Sequence, residues 1–374
     1  MTIERGVTAP TVGSSGYCLT MPEPTLDELR ARIEKLDAEL IAIAAERIAL
    51  ARKVGETKRQ QQIPTVDHAR EAHVLTRARE TATQRGLSAS VAEDVIMRLI
   101  VASISAQDED SLRFAATGAG KRAVIIGGAG RMGRWLGRFL RTAGYEAGAL
   151  DPNAPADENA WAKTALMSAD LVVCSAPPAT IASLYKEWMT RAPAGLIVDI
   201  ASIKTPLVEP IRALRAKGAR VASVHPMFGP SIVLLRDADV VICDTGDEAA
   251  TTEIEQLFRP TTARLVRVPL EEHDAIMADL LSLAHATAIT FALALPQSQH
   301  AVRSTTFQKL ETLSAALVRE SPDVYYEIQA KNPHSRAALE KLRAALERVV
   351  AAASSSTPTA FRELFAEAQK STDE

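Results

Sequence analysis

The 374-residue sequence is poor in cysteine and in aromatic side chains, and neither charge is in strong excess. Its three cysteines, Cys18, Cys174 and Cys243, are far apart and form no CxxC pair. This argues against a disulfide framework and against a cysteine metal site, and favours reduced thiols in a cytoplasmic protein. The net charge of −3 gives no reason to expect nucleic acid or a membrane surface as a partner. We therefore expect small-molecule partners and no metal.

Long apolar runs without polar residues are also absent. The most apolar stretch, residues 275–295, is interrupted by Asp279, Ser282 and His285, so we interpret it as a buried helix and expect no membrane partner. Residues 1–24 are rich in Gly, Ser, Thr and Pro and lack the apolar core of a signal peptide. They predict a flexible tail.

The first ordered feature is a long helical pattern. From Thr25, apolar residues recur at helical spacing over roughly 35 residues, after a capping box of Thr25 and Glu28. Pro64 ends this pattern, and two further helices are predicted after it. A helix of this length with one apolar stripe needs a partner, and a coiled-coil dimer is the simplest interpretation. Residues 25–112 are predicted as a helical domain, joined to the rest by a linker at 113–121.

Residues 122–270 alternate short apolar strands with helices, the βαβ pattern of a doubly wound sheet. The first strand leads into the motif GxGxxG. Its glycines are expected to permit the tight turn at Gly128, close approach of a pyrophosphate at Gly130 and packing of helix on strand at Gly133. The second strand ends at Asp151, where an acid binds ribose hydroxyls and repels a 2′-phosphate, so NAD is the expected cofactor. The predicted cofactor-binding residues are Gly128, Gly130, Arg131, Met132, Gly133, Asp151 and Ser175.

Polar side chains follow several predicted strands, at the edge of the sheet where such folds bind ligands. Ser202 and His225 each end a strand, and His273 and His285 follow in the helical residues 271–374. A histidine beside a nicotinamide can take the proton of a substrate hydroxyl, which makes His225 the predicted base. Helix capping is the alternative role for His273, and a structural place on an apolar helix is the alternative for His285.

The stretches HPMFGP at 225–230, DIASIK at 199–204 and EEHD at 271–274 together closely resemble the prephenate dehydrogenases, over residues 122 to about 330. The resemblance implies NAD-dependent oxidative decarboxylation of prephenate to 4-hydroxyphenylpyruvate. It implies that His225 binds the ring hydroxyl with help from Ser202, and that His273 and His285 line the site. It also implies that the C-terminal helices, residues 271–374, form the core of a homodimer.

Cations lie along the first predicted helix, in places that a coiled-coil interface does not need. Arg30, Arg47 and Lys58 are 17 and 11 residues apart, and we expect these spacings to bring all three to one face of the helix. A row of cations beside an apolar stripe fits a dianionic substrate. The following helices add four polar residues, Asp67, Arg70, Glu71 and Gln107.

This set resembles the all-helical chorismate mutases, over about residues 26–110. The resemblance implies that Arg47, together with Arg30 from the partner subunit, holds the two substrate carboxylates. It also implies that Lys58 and Gln107 donate to the ether oxygen of the breaking bond.

By the same resemblance, Asp67 and Glu71 meet the ring hydroxyl, and Arg70 supports the site. The implied reaction is a Claisen rearrangement, which is accelerated by preorganised charge and geometry without a cofactor.

The whole chain resembles the bifunctional chorismate mutase/prephenate dehydrogenase family. The expected fold is therefore multidomain, with an all-α mutase domain, an α/β Rossmann-like dinucleotide-binding domain and an all-α C-terminal dimerisation domain.

The sequence departs from this family at one position. Prephenate dehydrogenases usually carry an arginine at the position of Ala316 or Leu317. Lys309 and Arg319 are near but out of register.

This departure leaves alternatives open. The same two steps could act on 4-amino-4-deoxychorismate and 4-amino-4-deoxyprephenate to give 4-aminophenylpyruvate. Two further hypotheses are a non-catalytic sensor of NAD and an aromatic metabolite, and a mutase whose second half is only a dimer scaffold.

Overall fold

The computed structural model describes residues 24–232, 235–236, 238–295 and 302–373. The predicted tail therefore lies outside the described residues, except for Pro24. The chain divides into two compact units, residues 1–50 and 51–374, with the boundary inside the first helix.

The first helix, α1 (Leu26–Gln60), is unbroken over 35 residues, as predicted. The capping box is also confirmed, because the Thr25 backbone N–H donates to Glu28 Oε2 at 2.7 Å and the Glu28 N–H donates to Thr25 Oγ1 at 3.3 Å. The apolar stripe of this helix is exposed to solvent. Leu36, for example, is 55% exposed and Ile43 is 63% exposed.

The cations on α1 do not all share one face. In a regular α-helix, a step of 17 residues leaves Arg30 and Arg47 about 100° apart around the axis. The prediction that one face carries all three cations is therefore wrong for Arg30.

Two more helices complete the helical N-terminal region, α2 (His68–Gln84) and α3 (Ala89–Ala115). Gly86 lies between them with φ +71°, a left-handed conformation that favours glycine. The second half of α3 is largely buried, and Leu112 belongs to the hydrophobic core of the following sheet. The third helix thus packs on the α/β region instead of standing apart from it.

Seven strands form one sheet, with the order β2-β1-β3-β4-β5-β6-β7. The strands are β1 (Arg122–Ile126), β2 (Glu146–Leu150), β3 (Leu171–Cys174), β4 (Leu196–Asp199), β5 (Val221–Pro226), β6 (Asp239–Asp244) and β7 (Arg264–Pro269). All seven coincide with predicted strands. The first five are parallel, but β6 runs antiparallel to β5 and parallel to β7. The sheet is therefore mixed, and this reversal was not predicted.

Helices cover both faces of the sheet: α4 (Arg131–Thr142), α5 (Ala156–Ala165), α6 (Pro178–Glu187), α7 (Val208–Ala216) and α8 (Glu248–Phe258). Successive strand residues point to opposite faces. Ile125 accordingly belongs to the core beneath α4 and α8, whereas Val124 belongs to the core beneath α6 and α7. This double burial explains the continuous apolar runs of the strands.

The rest of the chain is helical: α9 (His273–Met277), α10 (Leu283–Ala294), α11 (Thr305–Val318), α12 (Pro322–Tyr326), α13 (Ser335–Ala353) and α14 (Thr359–Asp373). A π-helical segment, Ala278–Ser282, joins α9 to α10.

The run His273–Ala294 is long and apolar enough to cross a membrane by length and composition alone, and a minority of its residues are buried. Within the predicted run 275–295, Met277, Ala278, Ser282 and Ala288 are buried, but Leu280 and Leu293 are exposed. The prediction of a buried helix therefore holds only in part. The Ser282 hydroxyl is hydrogen-bonded to that of Ser335 at 2.5 Å.

Candidate active sites

The turn between β1 and α4 depends on glycines at which a side chain would collide with backbone. Gly127 has φ +76°, and a Cβ there would lie 2.1 Å from the carbonyl oxygen of Ser175. A Cβ at Gly133 would lie 2.3 Å from the carbonyl oxygen of Gly127. The left-handed turn is at Gly127, so its assignment to Gly128 was wrong. A Cβ at Gly128 would instead lie 2.4 Å from that of Ala149, which makes Gly128 a packing contact with β2.

Gly130 behaves differently from these glycines. It is the N-cap residue of α4, and the nearest atom to an added Cβ would be the carbonyl oxygen of Gly127, at 3.1 Å. This is one tight contact, and no other described atom beyond the adjacent residues lies within 4 Å of such a Cβ. The first backbone N–H groups of α4 have no partner within the helix and suit a pyrophosphate. The turn thus fits a dinucleotide.

Asp151 lies beside this turn, directly after β2. Its Oδ2 accepts from the backbone N–H of Ala129 at 3.3 Å, and its Oδ1 accepts from that of Asn153 at 2.8 Å. The carboxylate is therefore next to the glycines, where the sequence predicted an acid for the ribose hydroxyls.

One cavity of about 770 Å³ opens at the carboxyl ends of the parallel strands. It brings together many of the residues predicted for the cofactor and for the base, namely Gly130, Arg131, Met132, Ser175, Ser202 and His225. Its opposite wall comes from α11 and α12. The geometry therefore joins the glycine turn and the predicted base in a single space.

A buried hydrogen-bonded array stands behind this cavity. His225 Nδ1 lies 3.0 Å from His273 Nε2, and His273 Nδ1 lies 2.7 Å from Asp274 Oδ1. Asp274 is an acceptor when ionised, so His273 must donate to it from Nδ1. The Nε2 atom of neutral His273 then accepts from His225 Nδ1–H. This order leaves the lone pair of His225 on Nε2.

The surroundings keep this array in that protonation state. Burial alone would raise the pKa of Asp274, but hydrogen bonds from His273, Thr205 and the backbone outweigh it and lower the pKa to about 2. Burial lowers the pKa of His225 well below 6.5, and the neighbouring His273 and Lys204 lower it further. Burial also lowers the pKa of His273. Both imidazoles are therefore neutral at neutral pH.

Asp274 is itself fixed from the sheet side. It accepts from the backbone N–H of Lys204 at 2.8 Å and from the backbone N–H and hydroxyl of Thr205 at 2.7 and 2.6 Å. The fully buried Lys204 ammonium donates to Asp199 at 2.6 Å and to the carbonyl of Val224 at 2.8 Å. Lys204 and Asp274 lie in the motifs DIASIK and EEHD, but no role for either residue was predicted.

His285 is not in direct hydrogen-bonding contact with this array. Its ring packs edge-on against that of Tyr325, with centroids 4.8 Å apart, and Tyr325 lines the cavity. Burial lowers the pKa of His285. The structure thus places His285 one side chain behind the cavity wall.

The cavity wall formed by α11, α12 and the residues that follow them is acidic. Ala316 and Leu317, at the position where an arginine was expected, both line the cavity. So do three carboxyl groups, those of Glu320, Asp323 and Glu327. In the part of the chain that the structure describes, Arg131 is the one Lys or Arg among the lining residues.

Arg131 forms an ion pair with a residue of that wall. Its guanidinium pairs with Glu320 through both terminal nitrogens. Lys309 and Arg319 are not among the described lining residues, so neither replaces the expected arginine there.

The residues predicted for the second site, that of the dianionic substrate, fall in both units. Arg30 and Arg47 lie in residues 24–50, and the other five lie in residues 51–374. Lys58 Nζ donates to the carbonyl of Thr65 at 2.8 Å, so its ammonium lies at the turn between α1 and α2. Asp67 caps α2 by accepting from the Arg70 N–H at 2.9 Å.

Gln107 packs tightly on the last turns of α1. Its Nε2 donates to the carbonyl of Ala51 at 2.8 Å, and its Oε1 is buried without a partner among the described residues. A Cβ at Gly55 would lie 2.6 Å from Gln107 Cγ. Gly55 therefore creates the space in which Gln107 is held.

Glu71 is paired with a residue that the sequence did not indicate. Its Oε2 lies 2.7 Å from Arg236 Nη1, and Arg236 Nη2 lies 3.3 Å from His68 Nδ1. Arg236 is in the connection between β5 and β6. Its approach to α2 depends on the tertiary fold, and no local sequence pattern signals it.

Comparisons with known proteins match both halves of the chain. The family model "Chorismate mutase type II" matches residues 29–108, and "Prephenate dehydrogenase, nucleotide-binding domain" matches residues 142–267. The T-protein of Enterobacter agglomerans is 29% identical over 81% of this chain and 81% of its own length. The 4-amino-4-deoxyprephenate dehydrogenase of Streptomyces pristinaespiralis is 30% identical over 66% of this chain and 89% of its own.

Solved structures share the fold. That of prephenate dehydrogenase from A. aeolicus in complex with hydroxyphenyl propionate and NAD+ has a TM-score of 0.54 and 17% identity, and it covers 67% of this chain and 96% of its own.

Proposed function

Because the chain belongs to the bifunctional chorismate mutase/prephenate dehydrogenase family, we propose how its residues divide the two reactions. The protein rearranges chorismate to prephenate and then oxidises and decarboxylates prephenate to 4-hydroxyphenylpyruvate with a dinucleotide cofactor. Residues 25–112 carry the first reaction, and residues 122–270 with the helices of 271–374 carry the second. The observation that supports this division best is the single cavity in which the glycine turn meets His225.

His225 is the base of the dehydrogenase. Its Nδ1–H is committed to His273, so Nε2 is free to take the proton of the ring hydroxyl as that oxygen becomes a carbonyl. Ser202 lines the same cavity and orients the hydroxyl. Bound NAD supplies the hydride acceptor, and loss of CO₂ makes the ring aromatic. His273 and Asp274 act through His225 and are positioning residues.

The cofactor is NAD. The N-terminus of α4, from Gly130 to Met132, holds the pyrophosphate, and Ser175 lies beside it in the cavity wall. The Asp151 carboxylate next to the turn accepts from the ribose hydroxyls and repels a 2′-phosphate.

In the mutase, charge is fixed before the reaction begins. Lys58 and Gln107 donate to the ether oxygen as it gains electron density. The ammonium of Lys58 already lies at the α1–α2 turn, and the second amide hydrogen of Gln107 remains available beside its bond to Ala51. Arg47, with Arg30 of a second copy of this chain, binds the carboxylates.

The protein is a cytoplasmic homodimer. The exposed apolar stripe of α1 needs a partner, and a second copy supplies one along its whole length. Cys174 and Cys243 are free and buried, as expected in a reducing compartment.

The acidic wall of the cavity bears on the choice of substrate. With alanine at position 316, the one guanidinium among the described lining residues is that of Arg131. It must exchange its contact with Glu320 for a carboxylate of prephenate. The carboxyl groups of Glu320, Asp323 and Glu327 would also suit an amine, which keeps 4-amino-4-deoxyprephenate as a second candidate.

Initial rates of NADH formation decide between these candidates. Prephenate and 4-amino-4-deoxyprephenate are supplied side by side with NAD, and chorismate consumption is followed separately. We expect the higher kcat/KM with prephenate. The His225→Asn variant should still consume chorismate but should form little NADH. A higher kcat/KM for the amino compound would overturn the assignment of prephenate.

A further inference from the structure

The ion pair between Glu71 and Arg236 joins two parts of the chain that the sequence assigns to different reactions. Glu71 is on α2, in the region of the mutase. Arg236 follows β5, 11 residues after His225, in the region of the dehydrogenase. The two side chains are 18% and 14% exposed, and their atoms are 2.7 Å apart.

The burial of this pair makes it energetically significant. Exposed ion pairs contribute little to stability or orientation. When one partner of a mostly buried pair is removed, the other charge is left without compensation in a poorly solvated place. Arg236 is also fixed by its second contact, with His68 in the first turn of α2. A guanidinium with two contacts on one helix turn restricts the orientation of the Glu71 side chain.

A second contact holds the same helices to the α/β region. Asp108, next to Gln107 on α3, accepts from the backbone N–H of Thr262 at 3.2 Å and from its hydroxyl at 2.5 Å. The two helices that carry Glu71 and Gln107 are therefore each fixed by a residue from beyond position 121.

We propose that Arg236 is a positioning residue of the mutase site, contributed by the dehydrogenase half of the same chain. It holds the Glu71 carboxylate in the orientation that meets the ring hydroxyl of chorismate. This inference rests on the proposed mutase function of residues 25–112. It places part of the first active site outside the segment that resembles a mutase.

The test compares Arg236→Gln and Arg236→Lys in the full-length protein, with chorismate and prephenate assayed separately. In Arg236→Gln the mutase kcat/KM should fall roughly tenfold or more, because Glu71 loses its buried partner. Arg236→Lys keeps the charge and should recover a part of the loss. The Tm of Arg236→Gln should fall, because the Glu71 charge loses its partner, whereas the rate of prephenate oxidation should stay near that of the wild type.

The matched control is Arg264→Gln. Arg264 pairs with Asp239 at the start of β6 through two nitrogens, at 2.7 and 2.5 Å, but it is largely exposed. This change removes an arginine–carboxylate pair from the same region and should leave both activities unchanged.

A double-mutant cycle separates positioning from general support of the fold. If Arg236 acts through Glu71, then Glu71→Gln with Arg236→Gln should be no slower than Glu71→Gln alone. Losses that multiply, a wild-type mutase rate in Arg236→Gln, or an equal fall of both activities with a lower Tm would each overturn the proposal. Wild-type protein that does not consume chorismate would instead refute the mutase function itself.

Discussion

Replacing Asp274 by asparagine should reverse the proton order of the buried array. The amide can donate to His273 Nδ1, whereas the carboxylate can only accept from it. His273 would then carry its proton on Nε2 and donate to His225 Nδ1. The His225 proton would move to Nε2, where the substrate hydroxyl needs a lone pair. The base would be present and correctly placed, but in the wrong tautomer.

The size of the effect follows from the role of the base. A positioned general base contributes about 10²–10⁴ in rate, and each factor of ten corresponds to about 1.4 kcal/mol of activation free energy. We therefore expect the dehydrogenase kcat of Asp274→Asn to fall by about two to four orders of magnitude, or roughly 3–5 kcal/mol. The KM for prephenate should change little, because Asp274 does not line the cavity.

Stability should fall as well, by a smaller amount. Lowering the pKa of Asp274 from 3.8 to about 2 corresponds to about 2 kcal/mol of folding free energy. Because the pKa is lower in the folded state, this contribution is present above pH 3.8 and is lost as the pH falls through 2. In Asp274→Asn it should be missing at neutral pH.

The assay measures NADH formation from prephenate, with chorismate consumption as an internal control for folding. Asp279→Asn is the matched control, because Asp279 lies five residues further on and is mostly exposed, 3.6 Å from Lys341. A wild-type kcat in Asp274→Asn would refute the tautomer argument. An equal loss of both activities would show that Asp274 matters for folding alone.

Three further predictions test other parts of the site. Burial lowers the pKa of His225 below 6.5. The fall in kcat/KM for prephenate on the acid side, where the base becomes protonated, should therefore lie below pH 6.5. A fall centred above pH 6.5 would contradict the assignment of His225 as the base. Gly130→Ala should raise the Kd of NAD roughly tenfold, because its Cβ competes with the pyrophosphate. It should lower the Tm less than Gly128→Ala does, because the added Cβ lies 3.1 Å from its nearest neighbour at Gly130 and 2.4 Å from the Cβ of Ala149 at Gly128. Equal falls in Tm would contradict this distinction. Light scattering should give twice the chain mass for the wild type and less for Ile33→Glu, because Ile33 is in the exposed stripe of α1; a wild-type monomer would refute the dimer.

Local sequence patterns were sufficient to predict the helix and strand positions that depend on residues close together in the chain. The length of α1 follows from its apolar period and from the capping box at Thr25 and Glu28. The strands follow from apolar runs between turns. The antiparallel direction of β6 could not be predicted in this way, because a buried run such as VVIC has the same pattern in either direction.

The contacts that hold the site residues in place join residues far apart in the sequence, so they could not be predicted from local patterns. His273 and His225 are 48 residues apart in the chain and 3.0 Å apart between ring nitrogens. A histidine at each position was visible in the sequence, but the order of donors between them required coordinates. The same holds for the turn glycine. Gly127 and Gly128 are adjacent, only Gly128 fits the GxGxxG spacing, and φ identifies Gly127 as the left-handed residue.

The two reactions make different demands on their sites, and this affects where the sites can be built. The dehydrogenase must move a proton, so His225 requires neighbours that fix its tautomer, and these are close to it within the α/β region and α9. The mutase moves no proton and requires only charges held in place. A fixed charge can be supported by any rigid element within reach. Arg236 can therefore serve Glu71 from another domain, and the sequence boundary at residues 113–121 need not be a boundary of function.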